Sequence, residues 1–358
     1  MKTIEELYNE IISKENYWNY YNKENREISD LTTFKILLTK SEYCKNFIKG
    51  MMDISGKGLS DEMNDILNML NEKENDPIIG RRLRHIVSNF FFGHVLYQNI
   101  SIVRLSVDEY IKDLNAFKKK KDKQQLFSFM WFILCIFHDF GYVYENNLKT
   151  INHAELEDDI EQPIDFKPQI YTKTNIDNYS KYRLCKFGVY DHGIYGGKVF
   201  YRQMLSIGNQ LKAKSDNMIF ETENVEPIYQ YAAWIIMCHN IFYNNGNDNY
   251  TDCYRCCGLD DFIKPKARCI TLKNNPLLFL FCLADTLEPT KVLKSKSNNP
   301  SKDLKICSLL KLDFCKNSIK FDLSDLSDYI VGEKYKNNIK GINDWLADVS
   351  DDLTITLK

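Results

Sequence analysis

Apolar residues at helical spacing dominate the first 300 residues of the chain. The most apolar stretch covers residues 127 to 137 (FSFMWFILCIF), and a second covers residues 277 to 287, between Pro276 and Pro289. Both stretches are too short to span a bilayer, so they predict buried helices. We therefore expect an N-terminal helical segment over residues 1 to 75 and a larger helical domain over residues 76 to 300.

The pattern changes after about residue 304. Residues 309 to 313 (LLKLD) and 318 to 322 (SIKFD) alternate apolar and polar side chains, and they flank Cys315, Lys316 and Asn317, which predict a hairpin turn. A helical pattern at 335 to 346 and another alternating stretch at 353 to 357 (LTITL) follow. This order predicts a small β-β-α-β appendage over residues 301 to 358. The expected fold class is mainly α, with a C-terminal α+β appendage.

Two polar stretches interrupt the helical pattern. Residues 146 to 180 contain Pro163 and Pro168 and show few regular patterns, which predicts a long loop or lid. The four lysines at 118 to 121 predict a solvated helix end or loop, because so short and isolated a basic run is only a weak indication of nucleic-acid contact.

Composition narrows the functional classes. The formal net charge is −2 and the pI is about 6.3, so nucleic acid is not indicated as a partner. Several of the 11 cysteines lie inside apolar runs, which favours reduced thiols in a cytoplasm over disulfides. The first 30 residues contain no apolar signal core, so we expect a cytoplasmic location and no membrane partner. Neither a GxxxxGK[ST] loop nor a dinucleotide fingerprint occurs, which argues against an ATP-driven enzyme or a Rossmann oxidoreductase.

The chain has six histidines, and four of them lie in or beside apolar helical segments. A buried imidazole is costly unless it is bonded, so each one alone is more often a hydrogen-bonded core residue than a ligand. Together they form a pattern with acidic residues. His138 and Asp139 adjoin at the end of an apolar helix, Asp191 precedes His192, and Asp285 interrupts LLFLFCLADTLEP. A metal would remove the cost of burying such carboxylates, and imidazole with carboxylate suits Fe, Mn, Zn, Ni or Co.

The order of these residues resembles the HD-domain metal-dependent phosphohydrolase superfamily, whose ligands follow the order His, His-Asp, His, His, Asp. The matching segments are LRHIVSNFFFG, LCIFHDFGYVYE, YDHGIYGGKVF, IIMCHNIFY and LLFLFCLADTLEP, within residues 80 to 290. The resemblance implies an HD-type all-α helical bundle and one or two divalent transition metals. It implies that the metal ligands are His85, His138, Asp139, His192, His239 and Asp285. The histidines at 192 and 239 would help to hold a second metal, with the carboxylate at 139 bridging the two.

The first ligand has two candidates, His85 and His94, which are nine residues apart. At about 100° per residue they point to opposite faces of one helix, so only one of them can reach the metals. The spacing from His85 to FFFG resembles the family pattern, and we therefore expect His85 to be the ligand. The interval of 53 positions from His85 to His138 then includes an insertion around the lysine run.

The resemblance implies hydrolysis of a nucleotide or related small phosphate ester, in which two metals share a hydroxide that attacks phosphorus in line. Catalytic roles would fall to Asp139, Asp191, His192 and Lys198. Two alternatives from other classes stay open. One is a di-iron HD-type oxygenase, and the other is a catalytically inactive HD scaffold that binds a nucleotide.

Four residues near the ligands have both a functional and a structural interpretation. Asp191 would orient His192 or take up a proton, or else cap the following helix. Lys198 would contact phosphate, or else be solvated. Asn240 would bind substrate or cap a helix, and Tyr142 would line the pocket mouth or pack.

A separate cysteine cluster has zinc-like spacing. Cys253 and Cys256 are three residues apart and Cys257 follows, but a second such pair is missing, so a structural zinc is the less favoured interpretation.

Overall fold

The computed structural model describes residues 1–13, 77–113, 123–142, 160–212, 225–242, 248–263, 270–292, 300–326, 329–346 and 353–358. Most of these residues are helical, and a small four-stranded sheet completes the structure. The helices are α1 (Ile4–Ser13), α2 (Pro77–Asn99), α3 (Ser101–Asp113), α4 (Lys123–Phe137), α5 (Lys173–Phe187), α6 (His192–Lys212), α7 (Val225–Cys238), α8 (Asp248–Cys256), α9 (Asp260–Ile263), α10 (Pro276–Leu287), α11 (Pro289–Val292), α12 (Pro300–Leu309) and α13 (Tyr329–Trp345).

The two most apolar stretches of the sequence are the buried helices α4 and α10, as predicted. Trp131 of α4 links the central helices. Its indole nitrogen donates to the Phe90 carbonyl of α2 at 3.2 Å, and its ring lies 5.3 Å from that of Phe281 on α10. Asn275 caps α10 by accepting a hydrogen bond from the Leu278 amide at 3.1 Å. These three helices therefore form the core on which the polar site is built.

Helices α6 and α7 approach each other closely because α6 carries glycine at the contact. A Cβ atom at Gly197 would lie 2.5 Å from Met237 Cγ and 2.7 Å from the Ala233 carbonyl oxygen. The absence of a side chain at this position therefore lets α6 lie directly on α7, which brings the first residue of α6 near the last turn of α7.

The sheet has the strand order β1 (Lys2–Thr3), β2 (Lys311–Cys315), β3 (Ser318–Asp322) and β4 (Thr354–Leu357). The pairs β1–β2 and β2–β3 are antiparallel, whereas β3–β4 is parallel and is connected through α13. The turn residue Lys316 has φ 47°, as tight hairpin turns require. From Lys311 to Leu357 the described elements follow the order strand, strand, helix, strand, although Cys315, expected in the turn, is the last residue of β2. Strand β1 was not predicted, because two residues are too few to show alternation, and that residues 301 to 358 form an appendage stays a prediction.

The N-terminal residues belong to the same assembly as the C-terminal sheet. The Ile4 amide donates to the Leu310 carbonyl at 2.9 Å, and the Tyr8 hydroxyl lies 3.2 Å from that of Ser88 on α2. The domain boundaries near residues 75 and 300 stay predictions. Of the helices expected over residues 1 to 75, those beyond α1 lie outside the described residues.

The expected loop over residues 146 to 180 is only partly a loop. Residues 143 to 159 lie outside the described part, and residues 160 to 172 are irregular, but α5 begins at Lys173. Thr172 caps α5 by accepting from the Asn175 amide at 3.1 Å, and Gly188 ends it with φ 67°. Its buried stripe includes Asn175, Ile176, Tyr179 and Tyr182. This helix was missed because amide and phenol side chains, rather than aliphatic ones, form much of the stripe.

None of the helices in the described ranges combines the length and the apolar character needed to cross a bilayer.

Candidate metal centre

His85 lies in the buried interior of α2 and faces a cluster of polar side chains. Its Nε2 atom is 3.0 Å from Asp285 Oδ1 and 3.2 Å from His138 Nε2, and its Nδ1 atom is 2.7 Å from Glu288 Oε2. His94 lies on the other face of α2, where its Nε2 atom is 3.0 Å from the Ser128 hydroxyl oxygen. Of the two candidates, His85 therefore lies in the cluster and His94 does not, and that His85 binds a metal stays a prediction.

His138 and Asp139 follow α4 directly. The His138 amide continues the helical hydrogen bonding by donating to the Leu134 carbonyl at 3.1 Å, and its Nδ1 atom is 2.8 Å from the Cys135 carbonyl oxygen. That bond places the proton on Nδ1 and leaves Nε2 to face the cluster, 3.5 Å from Asp139 Oδ1. Ligand atoms of His85, His138 and Asp139 all lie within 4.8 Å of one another, so this buried group could hold a metal ion.

Asp285 supplies a second carboxylate from α10. It is 5% exposed in a helix whose other inward residues are apolar. Its Oδ1 atom lies 3.3 Å from His138 Nε2 as well as 3.0 Å from His85 Nε2. The aspartate in the apolar segment is therefore paired with the same two imidazoles that adjoin Asp139.

His192 and His239 lie beside His138 and Asp139. His192, the first residue of α6, has its Nε2 atom 3.9 Å from Asp139 Oδ1. His239 follows α7, and its Nδ1 atom is 2.6 Å from the Ile236 carbonyl oxygen. The His239 ring centroid lies 5.3 Å from that of His138 and 5.5 Å from that of His192. All six residues expected as ligands thus meet in one region, built from the ends of α4, α6 and α7 and the interiors of α2 and α10.

Electrostatics favour ionised carboxylates in this cluster. Burial alone would raise the pKa of Asp139, but the Arg82 guanidinium and the neighbouring imidazoles lower it well below its usual range. Burial would likewise raise the pKa of Asp285, and Lys291 with the adjacent side chains of His138 and His85 lowers it instead. Both carboxylates are therefore charged near neutral pH, which is the state that binds metals.

The histidines of the cluster divide into two kinds. Burial would lower the pKa of His85, but its hydrogen bonds to Asp285 and Glu288 outweigh that effect and raise it to about 9. Burial lowers the pKa of His239 to about 4 and that of His192 well below its usual range. His192 and His239 are therefore neutral near neutral pH, which is the state that binds metals, whereas His85 would release its Nε2 proton when a metal binds.

Two cations border the cluster, and neither was predicted. Arg82 donates from its guanidinium to Asp139 Oδ2 at 2.6 Å, and Lys291 is bonded to Asp285 Oδ2. Arg82 is three residues before His85, so helical spacing alone could have placed it on the same face of α2. Lys291 lies beyond the end of α10, and no local pattern indicates its contact.

Tyr142 lies inside this arrangement rather than apart from it. The Arg82 guanidinium carbon is 3.4 Å from the Tyr142 ring centroid, and the other face of the ring stacks on His192 with centroids 3.8 Å apart and an interplanar angle of 16°. Tyr142 is therefore next to the cluster, consistent with its expected place at the pocket, although its contact with substrate stays a prediction.

Asp191 and Asn240 make structural contacts. Asp191 Oδ1 accepts from the Gly193 and Ile194 amides at 3.0 and 3.1 Å, which is the helix-capping alternative. Its Oδ2 atom accepts from the Asn240 side chain at 3.1 Å, which joins the start of α6 to the end of α7. The cap holds His192 at the first position of α6. Proton uptake by Asp191 and substrate binding by Asn240 stay predictions.

Lys198 is half-buried on α6, six residues after His192. At about 100° per residue this spacing turns it roughly 120° around the helix from His192, so its position gives the expected phosphate contact no support.

His153 lies outside the described residues. Within the described ranges, the thiols of Cys253, Cys256 and Cys257 do not converge as the His85, His138 and Asp139 ligand atoms do.

The donor set fits a cation. Asp139 Oδ1 is buried and, in the part of the chain described, accepts no hydrogen bond, although it faces His138 and His192. The Nε2 atoms of His85 and His138 point at each other at 3.2 Å. A divalent ion would satisfy these groups together, and imidazole with carboxylate is the ligand chemistry of first-row transition metals.

Comparisons of this chain with protein-family models, with curated proteins and with solved structures found no match.

Proposed function

We propose that this chain is an HD-type metal-dependent phosphohydrolase or phosphodiesterase that acts on a nucleotide or a related small phosphate ester. The convergence of His85, His138 and Asp139 in a buried group carries this proposal. Support comes from their sequence order, which resembles that of HD-domain proteins, and from the mainly helical fold. Asp285, His192 and His239 complete the order in the same region.

The six residues would divide between two metals. His85, His138, Asp139 and Asp285 would hold the first, and His192 and His239 would help to hold a second, with Asp139 between them. Such divalent ions lower the pKa of water and offset negative charge on phosphoryl oxygens.

The flanking cations support an anionic substrate. Arg82 is 17% and Lys291 34% exposed at the side chain, and each is bonded to a carboxylate that would face the metal. When a cation shares those carboxylates, the guanidinium and the ammonium have donors left for phosphate oxygens. The Tyr142 ring fixes the plane of the Arg82 guanidinium, and the apolar walls of α4 and α10 exclude water from behind the ligands.

The test is metal-dependent phosphate or nucleotide release. The chain, purified without chelator, is loaded with Fe, Mn, Ni, Co or Zn and assayed on nucleotide phosphodiesters and phosphomonoesters. We expect release that chelator abolishes, that Asp139→Ala loses and that Asp325→Asn retains, since Asp325 is an exposed carboxylate paired with Lys311 outside the cluster. Oxygen uptake that depends on iron would indicate an oxygenase instead, and nucleotide binding without turnover would indicate an inactive scaffold.

A further inference from the structure

Glu288 is a wholly buried carboxylate beside the metal centre. It follows α10 and precedes α11, and its side chain is 0% exposed. Its Oε1 atom accepts from the Thr290 amide at 2.8 Å, and its Oε2 atom accepts from the Thr290 hydroxyl at 2.8 Å and from the Lys291 amide at 2.9 Å. These bonds to its own following turn hold the carboxylate in one orientation.

The same Oε2 atom is 2.7 Å from His85 Nδ1. Because Oε2 already acts as an acceptor for the Thr290 hydroxyl and the Lys291 amide, it also accepts from His85, and the proton of this bond sits on Nδ1. The opposite nitrogen, Nε2, points toward Asp285 and His138, and a metal would bind there in place of its proton while the Nδ1 proton stays on the bond to Glu288. Glu288 therefore sets both the tautomer and the ring orientation of the first ligand.

Glu288 is also connected to the last ligand. It accepts from the Lys291 amide, and the ammonium of Lys291 is bonded to Asp285 Oδ2. The Glu288 carboxylate thus fixes two groups. One is the His85 ring on α2, and the other is the backbone of Lys291, whose side chain pairs with Asp285 on α10.

We propose that Glu288 is a positioning residue of the metal centre, which acts through His85 and Lys291 and does not touch the metal. This proposal rests on the metal centre of the proposed function. Partners that orient a ligating histidine are typically worth about 10–100-fold in metal affinity, and we expect that loss in Glu288→Gln. Glutamine has the same size, but it carries no charge and has one acceptor oxygen instead of two, so it cannot accept from His85 Nδ1, the Lys291 amide and the Thr290 amide together as Glu288 does.

A matched control comes from α12, which pairs with the residue next to His85. Asp303 is also a buried carboxylate, and it accepts from Arg84 Nε at 3.0 Å, one residue from His85. Asp303→Asn removes a buried charge near α2 without touching the cluster. We expect Zn²⁺ affinity, measured by competition with a chelating dye, to fall in Glu288→Gln and to stay unchanged in Asp303→Asn.

A second measurement needs no metal. With nitrogen-15-labelled histidine, the His85 Nδ1 proton should give a downfield, slowly exchanging resonance, assigned by its loss in His85→Gln. We expect it to persist in Asp303→Asn and to vanish in Glu288→Gln. Should Glu288→Gln fail to fold, Thr290→Val removes one bond that orients the carboxylate and should weaken Zn²⁺ binding in the same direction, but less.

The outcomes separate the two proposals. If the wild-type chain binds no metal, the proposed function fails. The resonance of the His85 Nδ1 proton then decides by itself whether Glu288 orients the His85 ring. Unchanged Zn²⁺ affinity in Glu288→Gln, an unchanged resonance, or an equal loss of affinity in Asp303→Asn would each overturn the role of Glu288.

Discussion

The ion pair between Arg82 and Asp139 permits a test that needs no substrate. Asp139 is 1% and Arg82 17% exposed at the side chain, and the bond between them is 2.6 Å long. Replacing either residue alone, as Arg82→Met or Asp139→Asn, leaves a buried charge without its partner. Replacing both leaves neither charge, so the double variant should cost less than the sum of the single ones.

The magnitude follows from burial. Breaking a buried pair by removing one partner costs about 3–5 kcal/mol, and the partial exposure of Arg82 favours the lower end. The coupling free energy between the two substitutions should be about 1–3 kcal/mol. As a control, the exposed pair of Lys336 and Glu333 on α13 should show a coupling of about 0.5 kcal/mol or less.

The assay is urea unfolding near neutral pH with chelator present, followed by the same series with excess metal. At about 100 times the dissociation constant, metal should stabilise the wild-type chain by about 2.7 kcal/mol. Arg82→Met should retain this gain because the ligands are intact, whereas Asp139→Asn should lose it. Single costs that add to within about 0.5 kcal/mol would refute the pairing of Arg82 with Asp139.

Two further predictions concern the free energy of unfolding. Burial lowers the pKa of His94 from 6.5 to about 3, so the unfolded chain binds a proton there that the folded chain does not. Between pH 6.5 and about 3, His94 should lower the free energy of unfolding by about 1.4 kcal/mol for each unit that the pH falls, and urea unfolding should therefore show a shallower pH dependence in His94→Gln. A Cβ atom at Gly193 would lie 2.9 Å from both His239 Cε1 and the Ile236 carbonyl oxygen, so Gly193→Ala should cost about 1–3 kcal/mol. It should also weaken metal binding, whereas Gly341→Ala, with open space around it, should stabilise α13 by about 0.5–1 kcal/mol.

Helical geometry made much of the site predictable. His85 and His94 are nine residues apart, so rotation along α2 separates them, and the structure places one in the cluster and the other beside Ser128. The sequence also predicted the helices that end just before His138 and His239, because an apolar run stops at each of these residues. The sequence could therefore place residues that lie within, or directly after, a helix with a clear pattern of apolar positions.

Contacts across the fold could not be predicted in this way. Lys291 reaches Asp285 only because the chain turns after α10, and Glu288 meets His85 from 203 residues away. The bond from Asn240 to Asp191 likewise joins residues that are 49 positions apart. Such contacts depend on how helices pack, and a hydrophobic period carries no information about them.

Metal content is the most direct test of the central claim that the cluster of His85, His138 and Asp139 holds metal. Elemental analysis of protein purified without chelator should find about one to two equivalents of Fe, Mn, Ni, Co or Zn per chain. The double variant His138→Ala, Asp139→Ala should lose the metal, and Asp325→Asn should keep it. No stoichiometric metal in the wild-type chain, even after reconstitution with each ion, would contradict the account.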